Sequence, residues 1–311
     1  MRWLAPLIIV VLTVAIAACG DDVQSGDAPV TAVATTSHVA DLARNVGGKR
    51  VAVRELVPAG ADPHEYEPRP SDAAALADAA VVLRSGGDID EWLDDLIESA
   101  GGDAEPVTLI DSVETITGEH EGEGEEVDPH WWQDPRNAVA AVEAIRVALT
   151  EADRDGGETY RRNADRYVER LKRLDRQIAA CIGRIPPTRR KIVTTHDALG
   201  YFAERYGVEV VGAVIPSLST QAQPSSRDVN RLVEQIRAEG VRAIFPESAV
   251  GAKVERAIAR ESGAEVGGAL WADSLGPAGS DGATYLESMA SDAEKLASGM
   301  SGADARCEVE P

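Results

Sequence analysis

The chain has 311 residues, of which 44% are apolar and 27% are charged. This length predicts two domains, and the balance is that of an ordinary globular protein, which excludes a disordered chain, a collagen-like fibre and a multi-span membrane protein. Lys and Arg number 31 against 53 Asp and Glu, for a formal charge of -22. Such an acidic chain repels phosphate backbones and attracts cations, so we expect no nucleic-acid partner.

A secretory signal is predicted at residues 1–18. Arg2 is followed by an apolar run that is short for a bilayer span and ends in small residues. The tetrapeptide IAAC, which ends at Cys19, resembles a bacterial lipobox. It predicts that Cys19 is lipidated and becomes the mature N-terminus, with a plain membrane anchor as the alternative. Residues 19–29 are polar and predict a flexible tether.

Strand and helix patterns alternate through two halves of the chain. In the first half, strands are predicted at 30–35, 51–57, 81–83 and 107–110, with helices at 37–46, 73–79 and 90–99. In the second half, strands are predicted at 191–195, 208–215, 241–245 and 265–270, with helices at 197–206, 226–239, 251–261 and 282–298. This alternation predicts an α/β protein with two lobes, 30–155 and 187–311, each with a parallel sheet flanked by helices.

A different element separates the two halves. Apolar residues from Tyr160 to Cys181 recur at alternating steps of four and three, with charged residues between them. The stripe predicts one long helix over residues 156–186 that packs across both lobes as a stiff bridge. A coiled-coil partner is the alternative explanation of the same stripe.

Residues 114–128 form an acidic segment with seven acidic residues, three glycines and neither Lys nor Arg. Like charges and glycines disfavour packing, which predicts a mobile loop. It is either a solvated surface loop or a weak collector of cations, with His120 as a loose ligand.

Three histidines and one aspartate follow predicted strands. The tripeptide Asp-Pro-His occurs twice and ends at His64 and at His130, His196 follows the strand at 191–195, and Asp273 follows the strand at 265–270. Ligands of open α/β sheets bind at the carboxyl ends of parallel strands, so facing lobes would bring these four side chains into one cleft. Three imidazoles and one carboxylate suit tetrahedral Zn(II), whereas Mn(II) favours more oxygen ligands.

Cys181 and Cys307 are the cysteines that remain after Cys19. The cell envelope permits disulfides, and a structural disulfide between the two is the simplest interpretation. Free thiols and thiolate ligation of a metal remain open as alternatives.

Six segments form an ordered set along the chain: 57–68 (VPAGADPHEYEP), 128–135 (DPHWWQDP), 195–202 (THDALGYF), 219–225 (STQAQPS), 245–248 (FPES) and 271–275 (WADSL). Together they resemble a known family, the metal-binding lipoproteins of bacterial ABC importers for zinc and manganese, of the ZnuA-like zinc-binding type. The resemblance implies two α/β lobes bridged by one long helix, with the metal held between them. It implies His64, His130, His196 and Asp273 as ligands, and an ABC permease with its ATPase as partners.

The chain departs from this family at several positions. The family often has Glu where Gln221 and Gln223 stand, and Leu where Gln133 stands. Manganese-selective members tend to carry a carboxylate at the position of His196, so the resemblance favours zinc. Glu247 lies at a strand end, where it either orients a ligand imidazole or begins a helix. His38 is interpreted as a packing residue that could face the cleft.

The sequence therefore predicts a solute receptor rather than an enzyme. It would be a monomer, anchored through Cys19 to the outer face of the cytoplasmic membrane, that captures Zn(II) for delivery to the permease. An envelope zinc hydrolase is the alternative, with three His ligands and Glu247 as general base. A receptor for a larger cofactor is disfavoured, because such clefts are usually lined with aromatic side chains and only 4% of the residues are aromatic.

Overall fold

The computed structural model describes residues 30–101, 105–120, 124–302 and 307–311. The predicted signal at 1–18, the lipidation site Cys19 and the tether at 19–29 lie outside these residues. Among the helices that are described, none is both long enough and apolar enough to cross a bilayer.

The N-terminal lobe is built on a four-stranded parallel sheet. Its strands are β1 (Val30–Ala34), β2 (Val51–Glu55), β3 (Val81–Arg84) and β4 (Pro106–Thr108), and its helices are α1 (Ser37–Gly47), α2 (Pro70–Ala77), α3 (Trp92–Ala100) and α4 (Pro135–Ala152). The strand order is β2-β1-β3-β4. The Asp134 side chain accepts from the backbone N–H of Arg136 at the start of α4, and Pro135 follows at the first helical position.

The acidic segment departs from its predicted form as a loop. Its described part folds into an antiparallel hairpin of β5 (Thr117–His120) and β6 (Gly124–Val127). The base of the hairpin is closed by a hydrogen bond from the Asp128 amide to the Ile116 carbonyl, and the Tyr201 hydroxyl donates to the Asp128 carbonyl. The backbone of β5 thus pairs with that of β6 in a segment for which repulsion among the acidic side chains alone predicts a mobile loop.

One long helix bridges the two halves, as predicted. Helix α5 (Gly157–Ile182) has 26 residues, and each member of its apolar stripe is buried. The helix packs against α1 and α4 of the N-terminal lobe, and it also contacts the C-terminal lobe. The stripe is therefore explained by contacts within the chain rather than by a coiled-coil partner. The helix ends at Ile182, four residues before the predicted end, and Gly183 caps it.

The C-terminal lobe repeats the α/β arrangement. Its strands are β7 (Lys191–Thr194), β8 (Glu209–Ala213), β9 (Ala243–Phe245) and β10 (Glu265–Val266), and its helices are α6 (Gly200–Tyr206), α7 (Ser226–Glu239), α8 (Lys253–Ser262) and α9 (Tyr285–Ser301). The strands are parallel in the order β10-β9-β7-β8. The predicted strand at 265–270 is shorter than expected, and beyond β10 only Leu270 pairs again, in an isolated bridge with Glu247.

The hydrophobic core is continuous from one lobe to the other. Buried side chains of α1 and α4 meet those of α5, which in turn meet α9 and Phe245. Cys181 of α5 forms a disulfide with Cys307, with the two Cα atoms 5.5 Å apart, so the predicted pairing is confirmed. The bond fastens the C-terminal segment to the bridging helix.

Candidate metal centre

The four predicted ligands all lie beyond the carboxyl ends of strands. His64 lies in the loop after β2, His130 in the turn between β6 and α4, and His196 two residues after β7. Asp273 lies between β10 and α9. The carboxyl ends of the two parallel sheets face each other, and open α/β sheets bind their ligands at these ends. The fold thus brings together side chains that are far apart in sequence.

The donor atoms have the spacing of a single coordination sphere. His130 Nε2 lies 3.4 Å from His64 Nε2 and 3.2 Å from His196 Nε2. The Asp273 carboxylate oxygens lie 3.4 Å from Nε2 of His64, 3.4 Å from that of His130 and 3.2 Å from that of His196. A tetrahedral ion with bonds of about 2.0–2.1 Å requires ligand-to-ligand edges of about 3.3–3.4 Å. The distances above are close to these edges, and one donor atom from each of the four side chains can be chosen so that all lie within 4.8 Å of one another, which is compatible with a single ion.

The centre is withdrawn from solvent and holds a buried charge. None of the four residues is more than 8% exposed. Burial alone would raise the pKa of Asp273, but His196 and His130 hold it well below its usual range, so the carboxylate stays ionised. The polar neighbours of its two oxygens are the three imidazoles at 3.2–3.4 Å, and neither oxygen accepts a well-aligned hydrogen bond from the described residues. A buried carboxylate in such surroundings is costly unless a positive charge, on an imidazolium or on a bound cation, neutralises it.

Glu247 contacts the ring of His196 on the side away from the centre. Its Oε1 lies 2.5 Å from His196 Nδ1, and it also accepts from the His196 backbone N–H. Burial lowers the pKa of His196, but Glu247 and Asp273 outweigh that effect and raise it well above its usual value. This is the position from which a carboxylate fixes the orientation and tautomer of a ligand imidazole.

The repeated Asp-Pro-His tripeptide has a common local geometry. Asp62 accepts from the backbone N–H of His64 at 3.0 Å, and Asp128 accepts from that of His130 at 2.9 Å. Asp128 Oδ1 also lies 2.7 Å from His130 Nδ1. Asp128 was not predicted as the partner of a ligand, although the duplicated tripeptide is a signal that could have identified it.

Several hydrogen bonds cross between the lobes beside the ligands. Trp132 Nε1 and Gln133 Nε2 each donate to the Ala272 carbonyl at 2.8 Å, directly before Asp273. On the other side, Gln221 Nε2 donates to the His64 carbonyl. Gln133 and Gln221 were noted in the sequence only as departures from a family pattern, and their partners were not predicted.

Of the two remaining histidines, His38 lies outside this cluster. His38 is buried and stacks on Trp132, with ring centroids 5.0 Å apart. Burial lowers its pKa to about 3, so it is neutral and acts as a packing residue at the edge of the centre. His120 lies at the end of β5, and its side chain is outside the described part of the structure.

Two α/β lobes that enclose three imidazoles and one carboxylate define a binding protein with a metal-sized cleft. The profile of the ZnuA family, described as zinc-uptake complex component A, periplasmic, matches residues 32–299. The chain therefore belongs to the ZnuA family of metal-binding, solute-binding proteins.

Similar proteins have been named for different metals. The manganese-binding lipoprotein MntA of Halalkalibacterium halodurans is 33% identical over 297 residues, which cover 94% of this chain and 97% of the relative. The MntA of Bacillus subtilis is 34% identical over 280 residues, with 88% and 91% coverage. The structure of the periplasmic zinc-binding protein TroA from Treponema pallidum superposes with a TM-score of 0.81 at 25% identity, covering 87% of this chain and 99% of that one.

Proposed function

We propose that the protein is the extracytoplasmic receptor of an ABC importer and captures a divalent transition metal, with Zn(II) as its cargo. His64, His130, His196 and Asp273 would be the four ligands. The observation that carries this proposal is the set of donor distances of 3.2–3.4 Å around one point. These edges correspond to the bond lengths of tetrahedral Zn(II) with nitrogen and oxygen ligands.

Manganese is the second candidate cargo, because five relatives, the two MntA proteins among them, are named for manganese. Mn(II) is a harder ion that favours carboxylate, carbonyl and water ligands. The centre offers a single carboxylate beside three imidazoles, and all four groups are buried. This donor set supports zinc over manganese.

The arrangement favours binding over catalysis. A catalytic zinc site keeps one coordination position open, whereas Asp273 supplies a fourth protein donor. Glu247 would have to act as the general base in the hydrolase alternative. Its Oε1 is already engaged with His196 Nδ1, which supports a role in orienting that ligand instead.

Membership of the family supports a proposal for the partners and the location. A lipid on Cys19 would hold the receptor, as a monomer, at the outer face of the cytoplasmic membrane. The cargo would then pass to a permease driven by an ATPase. One relative, SloC of Streptococcus mutans, is named as a metal ABC transporter substrate-binding lipoprotein, which supports this assignment.

Competition titration of the metal-free protein tests the cargo. We expect Zn(II) to bind at a ratio of one ion per chain and to displace Mn(II). His64→Ala and His196→Ala should each weaken zinc binding strongly, whereas His38→Phe, which keeps the stacked ring, should leave it unchanged. Tighter binding of Mn(II) than of Zn(II) would reverse the choice of cargo, and full-strength zinc binding in both alanine variants would refute the site.

A further inference from the structure

The positive charge of the chain is concentrated in the bridging helix and the turn after it. Residues 157–191 contain 11 of the 31 Lys and Arg residues and four acidic residues, which gives a formal charge of +7. The rest of the chain has 20 basic and 49 acidic residues, for a formal charge of -29. A strongly acidic protein thus contains one basic segment.

The basic residues of α5 share one face. Arg162, Arg166, Arg170, Arg173 and Arg176 follow each other at steps of four, four, three and three, and all are exposed. Their angular positions lie opposite the buried apolar stripe of the helix. With a rise of 1.5 Å per residue, this basic face is about 21 Å long.

Much of this charge is not neutralised locally. Arg161 and Arg162 pair with Glu158, and Lys172 pairs with Glu169. Among the described residues, the other four arginines of the basic face form no ion pair. The face therefore presents positive charge to whatever lies next to it.

The basic face lies toward the end of the molecule at which the tether enters. The first described residue, Val30, begins β1 and pairs with Val51 at the amino end of the sheet, whereas the metal centre lies beyond the carboxyl ends. The last turn of α1, which leads to β2 at Val51, contacts the start of α5, because Asn163 donates to the Val46 carbonyl. Lys191, at the end of the basic segment, begins β7 at the amino end of the second sheet.

We propose that, while the receptor is not bound to the permease, the basic face of α5 docks on the anionic phospholipid head groups of the membrane to which the protein is tethered, so that the metal centre points away from the bilayer. The proposal rests on the anchor at Cys19 that is part of the proposed function. The 11 residues 19–29 can span at most about 40 Å, whatever their conformation. The anchor would therefore keep the basic face near the membrane, and because charges are screened over about 8–10 Å, the membrane would respond to this face more than to the distant acidic surface of the protein.

Amine footprinting of the lipidated full-length protein in vesicles tests the docking. Lys172 borders the basic face, and Lys253 on α8 is equally exposed and serves as an internal reference. In vesicles that contain phosphatidylglycerol, we expect Lys172 to be acylated at least ~3-fold more slowly than in pure phosphatidylcholine, because each basic residue near an anionic surface is attracted to it. The rate for Lys253 should be equal in both, and salt at ~0.5 M should restore the rate for Lys172.

Charge-reversal variants separate the face from the overall charge. The triple variant Arg166→Glu, Arg170→Glu, Arg173→Glu should lose the protection of Lys172. A matched triple variant with the same charge change at exposed positions of α7 and α8 (Arg227→Glu, Arg256→Glu, Arg260→Glu) should keep it. Metal titration of both variants should match the unaltered protein, which shows that they fold and keeps this test independent of the metal site.

Two results would overturn the docking surface. Equal Lys172 rates in the two kinds of vesicle would show that the face stays in solvent. Protection of Lys172 that requires the permease complex, and not anionic lipid, would show that an acidic protein surface is the partner instead.

Discussion

The side-chain amide of Gln133 donates a hydrogen bond of 2.8 Å to the backbone carbonyl of Ala272, which lies in the opposite lobe. Trp132 donates to the same carbonyl, so two consecutive residues of the N-terminal lobe satisfy both of its lone pairs. Ala272 directly precedes Asp273, the carboxylate of the candidate metal centre. The approach of the lobes is thereby coupled to the position of one ligand.

Removal of either donor should accelerate metal release. Gln133→Leu and Trp132→Phe each remove the donor to the Ala272 carbonyl and put an apolar side chain of related shape in its place. Because a neutral hydrogen bond contributes about 1 kcal/mol, we expect dissociation to be roughly 5-fold faster in each variant. Stopped-flow transfer of Zn(II) to a chelator measures this rate.

Trp131→Phe is the matched control for these variants. Trp131 is buried like Trp132, but its Nε1 donates within the N-terminal lobe, to the Ser85 carbonyl and hydroxyl at 3.2 Å. Its replacement should lower the free energy of unfolding by a similar amount without altering metal release. If release accelerates equally in the control, general loss of packing explains the effect and the coupling is refuted.

The carboxylate behind His196 should support metal affinity. Glu247→Gln keeps the shape of the side chain but removes the charge that stabilises the ligand imidazole, so we expect zinc affinity to fall ~10–100-fold. Glu255→Gln is the control, since Glu255 is also buried but contacts the Thr195 hydroxyl rather than a ligand ring. Equal effects of the two substitutions in a competition titration would argue against a specific role for Glu247.

Metal affinity should fall as the pH is lowered. Burial alone lowers the pKa values of His130 and His196, but Asp273 with Asp128 raises the first and Glu247 with Asp273 raises the second. Without metal, these imidazoles therefore hold protons at a higher pH than a free histidine, whose pKa is about 6.5. A metal must displace those protons, so its apparent affinity weakens as the pH falls through the raised pKa values of these imidazoles. Calorimetry in two buffers of different ionisation enthalpy should detect proton release, and its absence would contradict imidazole ligation.

A second pH effect should arise from Asp292, away from the metal ligands. Burial raises its pKa to about 7, although it accepts from the Trp271 backbone N–H. A carboxyl group whose pKa is higher in the folded state stabilises the fold at low pH, and this contribution is lost as the pH rises through the folded-state value.

Asp292→Asn removes this titration. Relative to the unaltered protein, the variant should gain up to about 2–3 kcal/mol in free energy of unfolding between pH 5 and pH 8, because one pKa unit corresponds to ~1.4 kcal/mol. Urea unfolding in the presence of a chelator, at both pH values, measures this difference. A constant difference between variant and unaltered protein would contradict the raised pKa.

The sequence was most informative where local patterns suffice. The stripe from Tyr160 to Cys181 fixes a helix by its own periodicity, and alternating apolar runs identify the strands to within a few residues. Strand ends then indicate where His64 and His196 emerge, because parallel strands share one functional edge. The family resemblance added the ligand set.

Features that depend on distant partners were not predictable in this way. Gln133 and Ala272 are 139 residues apart, and no single-sequence pattern links an amide to the carbonyl that it meets. The acidic hairpin was predicted as a loop because its composition indicates only repulsion among carboxylates. The composition does not reveal the backbone pairing of β5 with β6. Only the folded chain shows that ladder.

The continuity of α5 constrains how an empty receptor can differ from a loaded one. The helix is unbroken, and its buried face belongs to a core that both lobes share. It therefore resists the large hinge motion of the lobes that a flexible loop would permit. We therefore expect the difference between the two states to lie mainly in the loops that carry Asp273 and its neighbours. A permease that binds metal-loaded receptors in preference to empty ones would therefore distinguish them by the conformation of the loops around the cleft, not by a change in the relative position of the two lobes.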